Sequence, residues 1–570
     1  MKYSIVWLAV FTCATVCWAG EEKLAPALRG RGDGETVDVI VRYKQAPTEA
    51  QHQRVVGRGG RLQHQLSVIQ ASHYAVPGIL LKDLANDPDV DFISPNRPVY
   101  AYLDQAATTI GANLAASYNV NGAGVGVAVI DSGIGVNDDL SGRVVYERNF
   151  TGGASQDNFG HGTHVAGIIA GSGRDSTDPS YFYTVSGIAK GVSLIDLKVL
   201  DDNGGGSDST VIQAIQQAIA LKAQYNIRVI NLSLGRPVFE SYKNDPLCQA
   251  VEAAWKAGIV VVVAAGNYGR NNPSTTFGYG TITAPGNDPT VITVGAMKDM
   301  GTPGKGDDLI ATYSSKGPTL YDMVAKPDLV APGNLIASTR SQSSNLINRF
   351  PQVGIPMDYY ADGSNSGAST AYIQLSGTSM ATPMVAAAAA LILQQHPTMS
   401  PDQVKARLMK TASKSFPETS SYTDPSTGIT YKAQYDIFTV GAGYLDIGAA
   451  LFNTDLAPPS VSAASPALTA TAAGDLVFAP AKKALWGSNV VWGSNVVWGS
   501  NVVWGSNVVW GSNVVWGGGN LFLSAANVVW GSNVVWGSNV VWGSNVVWGS
   551  AVTSSGIADS ANSVLIDGDR

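Results

Sequence analysis

Cysteine is nearly absent from this chain: Cys13, Cys17 and Cys248 are all that its 570 residues contain. The first two fall inside an apolar opening stretch, so the remaining chain has no pair from which to build an internal disulfide. Charge is also thin, at 14% of residues, against about a quarter in ordinary domains. From Ala484 to Ala558 there is no Asp, Glu, Lys or Arg at all. The net charge is −7, with no basic stripe, which argues against nucleic acid as a partner. Beyond residue 20 no run approaches the ~18 apolar residues that a membrane-spanning helix needs.

What is present first is a leader. Lys2 gives a positive start, Tyr3 to Trp18 is largely apolar, and Ala19-Gly20 offers small residues for cleavage. Residues 1–20 therefore read as a secretory signal peptide, and the expected location is secreted, extracellular. An uncleaved anchor is the competing reading; the short stretch and the charged, foldable segment after it disfavour that. An exported chain without bridges must hold together by core size, bound ions or both. Its middle, roughly 350 residues, is long enough to bury about three quarters of its unfolded surface.

Residues 21–104 contain a small unit. Val37 to Tyr43 alternates like a strand, and Thr48 to Val56 is a polar helix candidate. Strand-like runs follow near 62–69 and 73–80, then a short helix from Leu80 to Asn86 and a strand at Val90–Ile93. The order β-α-β-β-α-β is a small α+β, ferredoxin-like pattern. Residues 105–455 alternate apolar runs with helical stretches. The clearest strands are Val125–Ile130, Leu194–Leu200, Ile227–Leu232 and Ile259–Ala264, with helices over Thr210–Tyr225 and Cys248–Ala257. Continuous apolar strands separated by helices predict α/β architecture: a central, mostly parallel sheet with helices on both faces. Ligands in such sheets bind at the carboxyl ends of strands. Residues 456–485, rich in Ala, Pro and Ser, read as a linker. A Trp-Gly-Ser-Asn-Val-Val hexad then repeats over 486–550, and 551–570 is a tail.

Three glycine-flanked stretches carry chemistry: Val129-Ile130-Asp131-Ser132-Gly133, His161-Gly162-Thr163-His164 and Gly377-Thr378-Ser379-Met380-Ala381. Together they offer a carboxylate, an imidazole and a hydroxyl, the groups that turn a weak hydroxyl into a nucleophile. Asp131 follows an apolar strand; alone it would be an ordinary turn or cap residue. Outside the leader and the small unit the histidines are His161, His164 and His396. His396 ends the helix that starts near Ser379, about 25 Å away at 1.5 Å per residue, too far to take its proton. His161 at the helix mouth is favoured over the deeper His164 as the base. Ser379 opens an Ala-rich helix, where Pro383 suits the first turn, and its own N–H lies at the positive end of the dipole. Taken alone, the serine is an N-cap. Asn267, after Ala264-Ala265-Gly266, is a turn former or an amide donor to an oxyanion; losing such a donor costs about 10²–10³ in turnover. Cys248 begins a helix and reads as a small core residue.

In this order, Asp…His…Ser, the stretches resemble the subtilisin family of serine endopeptidases (subtilases), itself the standard example of the order and of an asparagine oxyanion donor. The resemblance spans about 110–450. It implies a triad of Asp131, His161 and Ser379 with Asn267 as oxyanion donor, and peptide-bond hydrolysis through an acyl-enzyme. It also implies a cleft lined by Ser233-Leu234-Gly235 and Gly266 on one side and Gly204-Gly205-Gly206 on the other, where an extended polypeptide substrate adds by backbone pairing. The small unit resembles the family's inhibitory propeptide, which would act as an intramolecular inhibitor cut off between Tyr100 and Gln105. Tyr100, Tyr102 or Leu103 would then mark the main specificity pocket. Calcium is the family's frequent structural ion; Asp139 matches one ligand position, but Gly171–Ser186 does not match the loop that would supply the others. Residues 341–370 are a polar, glycine-rich insertion before Ser379.

The hexad is a multiple of the strand period, so strands in paired sheets or in a stacked β-solenoid suit it. A cross-β, assembly-prone segment and an aromatic ligand strip are the other readings. The rival to an enzyme is a surface or structural protein whose repeat is the working part and whose peptidase domain is inactive.

Overall fold

The computed structural model describes residues 20–101 and 109–470 except 26–27, 30–33, 97, 113, 178–180, 182, 271–276, 301–304, 358–359, 362–366, 418, 425–426 and 459–461. It adds backbone strands between 476 and 536 and residues 564, 566, 568 and 569. The expected signal peptide lies outside the described residues. The chain divides into two compact units, Met1–Asn96 and Arg97–Arg570.

The first unit runs β1 (Thr36–Tyr43), α1 (Glu49–Val56), β2 (Arg61–Leu66), β3 (Ala71–Pro77), α2 (Leu80–Asn86) and β4 (Val90–Pro95). Its sheet has the order β2-β3-β1-β4, with antiparallel neighbours throughout. The alternation along Val37–Tyr43 works as read: Val37, Val39, Val41 and Tyr43 join one buried cluster with Leu80, Leu81 and Leu84 from α2. Thr48 caps α1 with Gln51 in a capping box, the reciprocal pairing that satisfies helix-start N–H groups.

The second unit begins with β5 (Pro98–Ala101), α3 (Leu114–Ser117), β6 (Gly126–Asp131), β7 (Val144–Asn149), α4 (His161–Ala170), β8 (Ser193–Lys198) and β9 (Gly205–Ser207). It continues α5 (Asp208–Tyr225), β10 (Ile227–Leu232), β11 (Leu234–Gly235), α6 (Pro246–Lys256), β12 (Val260–Ala264), β13 (Ile292–Lys298), β14 (Leu309–Ile310) and β15 (Leu329–Pro332). Then come β16 (Ile336–Thr339), α7 (Asn345–Arg349), β17 (Gly354–Pro356), β18 (Ala368–Leu375), α8 (Thr378–Gln395) and α9 (Pro401–Thr411). The unit boundary falls ahead of the expected residue 104 because β5 pairs with β9 and β11 of this unit.

The main sheet has the order β14-β13-β12-β10-β6-β8-β7, with β15 beside β13. The pairs from β7 to β15 are parallel and only β14 is antiparallel. Val260 to Ala264 are all buried, so the strand has no polar face, as expected when both faces are covered. Helices α4 and α8 touch each other and share β6, while α8 also lies on β10 and β12. Helices α5 and α6 touch each other and lie on β6, β10 and β12 in turn. Two helix pairs on the same strands occupy opposite faces. From β6 the chain moves outward to β7 and β8 on one side and then to β10 and β12 on the other. Asp131 ends β6 at that switch, the position where open α/β sheets bind ligands.

Two sequence expectations change. Pro383 is the sixth residue of α8, inside the helix. The expected linker starts later than Leu456: Ala463 and Ser465 are buried, and the Ser465 hydroxyl donates to Asp328 at 2.5 Å. That bond completes a buried cluster in which Asp328 faces Lys326 at 2.7 Å and Lys405 at 3.0 Å. The repeat, in its described strands, forms antiparallel two-stranded pairs. Val490–Trp492 pairs with Ala484–Trp486, and Val502–Gly505 with Asn495–Trp498. Antiparallel pairing of this kind is one of the two strand arrangements that the hexad suits.

Asp196 on β8 is a carboxylate with too few donors. It accepts the Ile134 N–H at 2.9 Å, but its Oδ1 has no partner among the described residues. Burial pushes its pKa up to about 8. An unfolded aspartate titrates near ~3.9, so between there and pH 8 only the folded state holds the proton. Stability attributable to this group therefore falls as pH rises, by at most ~1.4 kcal/mol per unit. Asp196→Asn removes this dependence. The melting-temperature difference, variant minus parent, is expected to shift in the variant's favour between pH 5 and pH 8.

Candidate active site

The site starts at one close approach. Helix α4 begins with His161 directly over the end of β6. The next residue, Gly162, has no room for a side chain: a Cβ there would lie 2.1 Å from the Gly133 carbonyl oxygen and 3.2 Å from Asp131 Cβ. The missing methyl lets His161 Nδ1 hydrogen-bond to Asp131 Oδ1. Asp131 also accepts the Ser132 N–H at 2.7 Å. Both side chains are fully buried.

A second carboxylate, Asp157, holds the helix mouth. Its Oδ1 accepts the Ser132 hydroxyl at 2.8 Å and the Gly160 N–H at 2.7 Å. Its Oδ2 accepts the Thr163 N–H at 2.9 Å and the Thr163 hydroxyl at 2.6 Å. Ser132 Oγ in turn accepts the Gly162 N–H at 2.9 Å. The N-cap N–H and two first-turn N–H groups are thereby satisfied from outside the helix. Burial raises the pKa of Asp157 above the usual carboxylate range. Sequence reading missed this residue, since Gln156-Asp157-Asn158 looks like a solvated turn. The 341–370 insertion braces the same loop: Ser341 Oγ donates to the Asp157 carbonyl at 2.7 Å and Ser344 Oγ to the Phe159 carbonyl at 3.1 Å.

His164 does something else. Its Nε2 faces the Ile336 carbonyl at 3.0 Å, and burial pulls its pKa down to about 3. It is a neutral core histidine. His396 ends α8, and Cys248 is buried in α6 with its thiol 3.2 Å from Asn287 Oδ1. Burial pushes that thiol up, away from the reactive thiolate.

Ser379 is the second residue of α8. Its hydroxyl donates to the Ser233 carbonyl at 3.1 Å, and the Ser233 hydroxyl donates back to the Ser379 carbonyl at 2.5 Å. The second bond has a cause in the sequence. The Ser379 carbonyl would normally accept the N–H of residue 383, but proline has none. Pro383 thus frees an acceptor that Ser233 fills, fixing the serine turn to the loop after β10. Asn267 follows Gly266, whose φ of +105° lies in glycine territory. Asn267 Oδ1 accepts the Thr378 N–H at 2.9 Å and its hydroxyl at 3.1 Å. The Thr378 hydroxyl accepts the Gly266 N–H at 3.1 Å. Because Oδ1 is committed to Thr378, the Asn267 NH2 is the end available to a ligand.

The two expected cleft edges are real strands, and both are engaged. Tyr100 of β5 pairs with Gly235 on one side and Gly205 on the other; Ala101 pairs with Leu234, and Val99 with Gly206. Gly204 precedes β9 with φ +80°. A single guanidinium ties the two edges. Arg236, next to β11, is buried and donates to Asp208, the first residue after β9, at 2.8 and 3.0 Å. It also donates to Asp245, the cap of α6, at 2.8 Å.

Asp139 does not fit a calcium ion. Its Oδ1 accepts the Asp175 N–H at 3.0 Å and its Oδ2 the Tyr372 hydroxyl at 2.7 Å. Both oxygens are thus taken by donors, and the described residues contain no group of three or more His, Cys, Asp or Glu able to hold a metal.

A doubly covered parallel sheet with an Asp-His pair at its carboxyl edge and a helix-borne serine define an α/β hydrolytic fold of the subtilisin type. The model of the subtilase family matches residues 122–438. Serine protease AprX of Bacillus subtilis (strain 168) is 38% identical over 344 residues, 58% of this chain and 71% of its own. Subtilisin E of the same strain is 32% identical over 430 residues, 72% of this chain and 94% of its own. The crystal structure of fervidolysin from Fervidobacterium pennivorans, a keratinolytic enzyme related to subtilisin, aligns with a TM-score of 0.53 at 22% identity, covering 74% of this chain and 62% of that one. The chain belongs to the subtilase family of serine endopeptidases.

Replacing Arg236 with Met leaves Asp208 and Asp245 buried without their shared cation. The expected cost is ~3–5 kcal/mol of stability, read by thermal unfolding. Arg236→Lys recovers part of it.

Proposed function

We propose that this is a secreted endopeptidase, made as a self-inhibited precursor, that hydrolyses polypeptides through Asp131, His161 and Ser379. Ser379 Oγ attacks the peptide carbonyl carbon while His161 takes its proton. The imidazolium then passes that proton to the leaving amine, and water, deprotonated by the same ring, resolves the acyl-enzyme. Asp131 fixes the tautomer. The Asn267 amide and the Ser379 N–H receive the oxyanion. The substrate lies between Gly204-Gly205-Gly206 and Ser233-Leu234-Gly235, with Gly266 beside it. No metal or cofactor takes part in these steps. The observation that carries the reading is the buried Asp131–His161 bond. It commits Nδ1 to Asp131, so this reading assigns the Ser379 proton to Nε2.

The first unit acts as the inhibitory propeptide. The support is β5: the segment just after that unit already occupies both edges that a substrate would use. Cleavage then falls between Tyr100 and Gln105, and a preference for large apolar or aromatic residues follows from Tyr100, Tyr102 and Leu103. Mass spectrometry of the mature form is expected to find a new N-terminus in this window. A start well beyond Ile110 overturns the assignment.

A fluorophosphonate probe is expected to label Ser379 in the mature enzyme, with labelling lost in His161→Ala. In subtilisin itself, loss of either group costs about 10⁶ in kcat, and a loss of that order is expected here. Labelling that survives His161→Ala sinks the mechanism.

A further inference from the structure

Far from the triad in sequence, Asp569 is buried to 1% exposure, and its surroundings are built for it. Arg270 Nη2 donates to Asp569 Oδ1 at 2.6 Å and to the Gly568 carbonyl at 2.8 Å. Thr312 donates its N–H to Oδ2 at 2.7 Å and its hydroxyl to Oδ1 at 2.6 Å. Asn334 closes a two-way backbone pair: its Oδ1 accepts the Asp569 N–H at 2.8 Å, and its Nδ2 donates to the Asp569 carbonyl at 3.3 Å. Arg270 also faces Asp424 at 3.6 Å. The residue before the aspartate is equally constrained. Gly568 has φ +52°, and a Cβ there would lie 2.2 Å from Ser376 Oγ. Val564 and Ile566 are buried beside it. Both the side chain and the backbone of a Gly-Asp pair are recognised, which is the chemistry of a peptide receptor and not of a chance surface contact.

The receptor residues have informative neighbours. Arg270 lies three residues after Asn267 on one loop. Asn334 follows Gly333, whose carbonyl accepts the Gly377 N–H at 3.0 Å two residues before Ser379. The Gly333 carbonyl also accepts the Tyr313 hydroxyl at 2.7 Å, and the Tyr313 carbonyl accepts the Gly269 N–H at 2.8 Å. Asp569 therefore bridges the loop carrying Asn267 and the Gly333-Asn334 turn, which in turn holds Gly377 just before Ser379.

We propose that Arg270, Thr312 and Asn334 form a receptor for a Gly-Asp peptide, and that segment 564–569 of the same chain is its resident ligand. The segment follows the repeat, while Ala463–Leu468 before the repeat is docked on the same unit. The repeat is thus a loop closed at both ends, and a cut within it leaves the far end bound. This binding stands apart from peptide hydrolysis, so it is measured in the full chain carrying Ser379→Ala.

The probe is a fluorescent peptide of residues 561–570, followed by anisotropy. In the Ser379→Ala chain its own segment competes at high effective concentration, so the peptide binds weakly. Adding Asp569→Asn to the chain removes charge-assisted bonds and frees the receptor, and the peptide binds roughly tenfold or more tightly. On that same chain a peptide with Asn in place of Asp569 loses roughly tenfold or more, and Arg270→Met abolishes binding. Equal binding of the peptide to the chains with and without Asp569→Asn shows that the segment does not sit in the receptor, and overturns the proposal. So does equal binding of the Asp and Asn peptides, a comparison that needs no receptor variant to fold.

Discussion

A carboxylate shut away from water must find donors, and the two at the mouth of α4 decide how the rest of the site can be arranged. Asp131 and Asp157 are both fully buried, and leaving either unpaired would cost several kcal/mol. Their donors come from the end of β6, the first turn of α4 and His161. Asp157 is satisfied on both oxygens and Asp131 on Oδ1, with Oδ2 lacking a hydrogen-bond partner among the described residues; making these bonds brings helix and strand to a spacing that only Gly162 tolerates. The imidazole is then held by packing and by its bond to Asp131 before any substrate arrives. Orientation fixed in advance is the larger part of what such a site contributes to a reaction.

The same logic reaches the cleft through two unlike devices. Arg236 replaces what would be two separate loop anchors with one cation that faces both Asp208 and Asp245. Its fork geometry suits this, since a planar guanidinium meets carboxylates along more than one edge. Pro383 acts by removing a donor. The carbonyl it leaves unpaired inside α8 is claimed by Ser233, from the loop after β10. A helix defect becomes the joint between the Ser379 turn and the loop after β10, and the reciprocal Ser379–Ser233 bond closes it.

Much of this was legible in the chain itself. The alternation of Val37–Tyr43 and the unbroken apolar runs at Val127–Ile130 and Val260–Val263 predict their strands because side-chain burial alone sets those patterns. Asp131, His161, Asn267 and Ser379 could be picked out because glycines flank them and strand ends precede two of them. Asp157, Arg236 and the docked Ser465 could not. Each is a polar residue in a loop, and what marks it is a partner more than 20 residues away or a carbonyl exposed by someone else's geometry. Asp139 shows the opposite situation. Its place eight residues after Asp131 suggests a ligand, yet only the fold shows that the oxygens already face N–H and O–H donors. The seat of Asp569 was also hidden, since a lone acidic tail carries no local period.

Holding both ends of the repeat on one unit has a consequence for its strands. Val-Val-Trp runs without charge or proline are suited to pair with any copy of themselves, including those on other chains. Tethering raises the effective concentration of neighbouring hexads to the millimolar range on short linkers, far above that of a second molecule in dilute solution. The described strands pair with their nearest neighbours in sequence, as this competition requires: Asn507–Trp510 meets Val514–Gly518, and Val528–Trp530 meets Val534–Trp536. Edge strands still remain in such pairs, and no charged residue within 484–558 blunts them. Closure at Ala463–Leu468 and at Asp569 is then the restraint that the repeat's own composition does not provide. The Arg270 loop and the Gly333-Asn334 turn that Asp569 bridges are part of the same anchor.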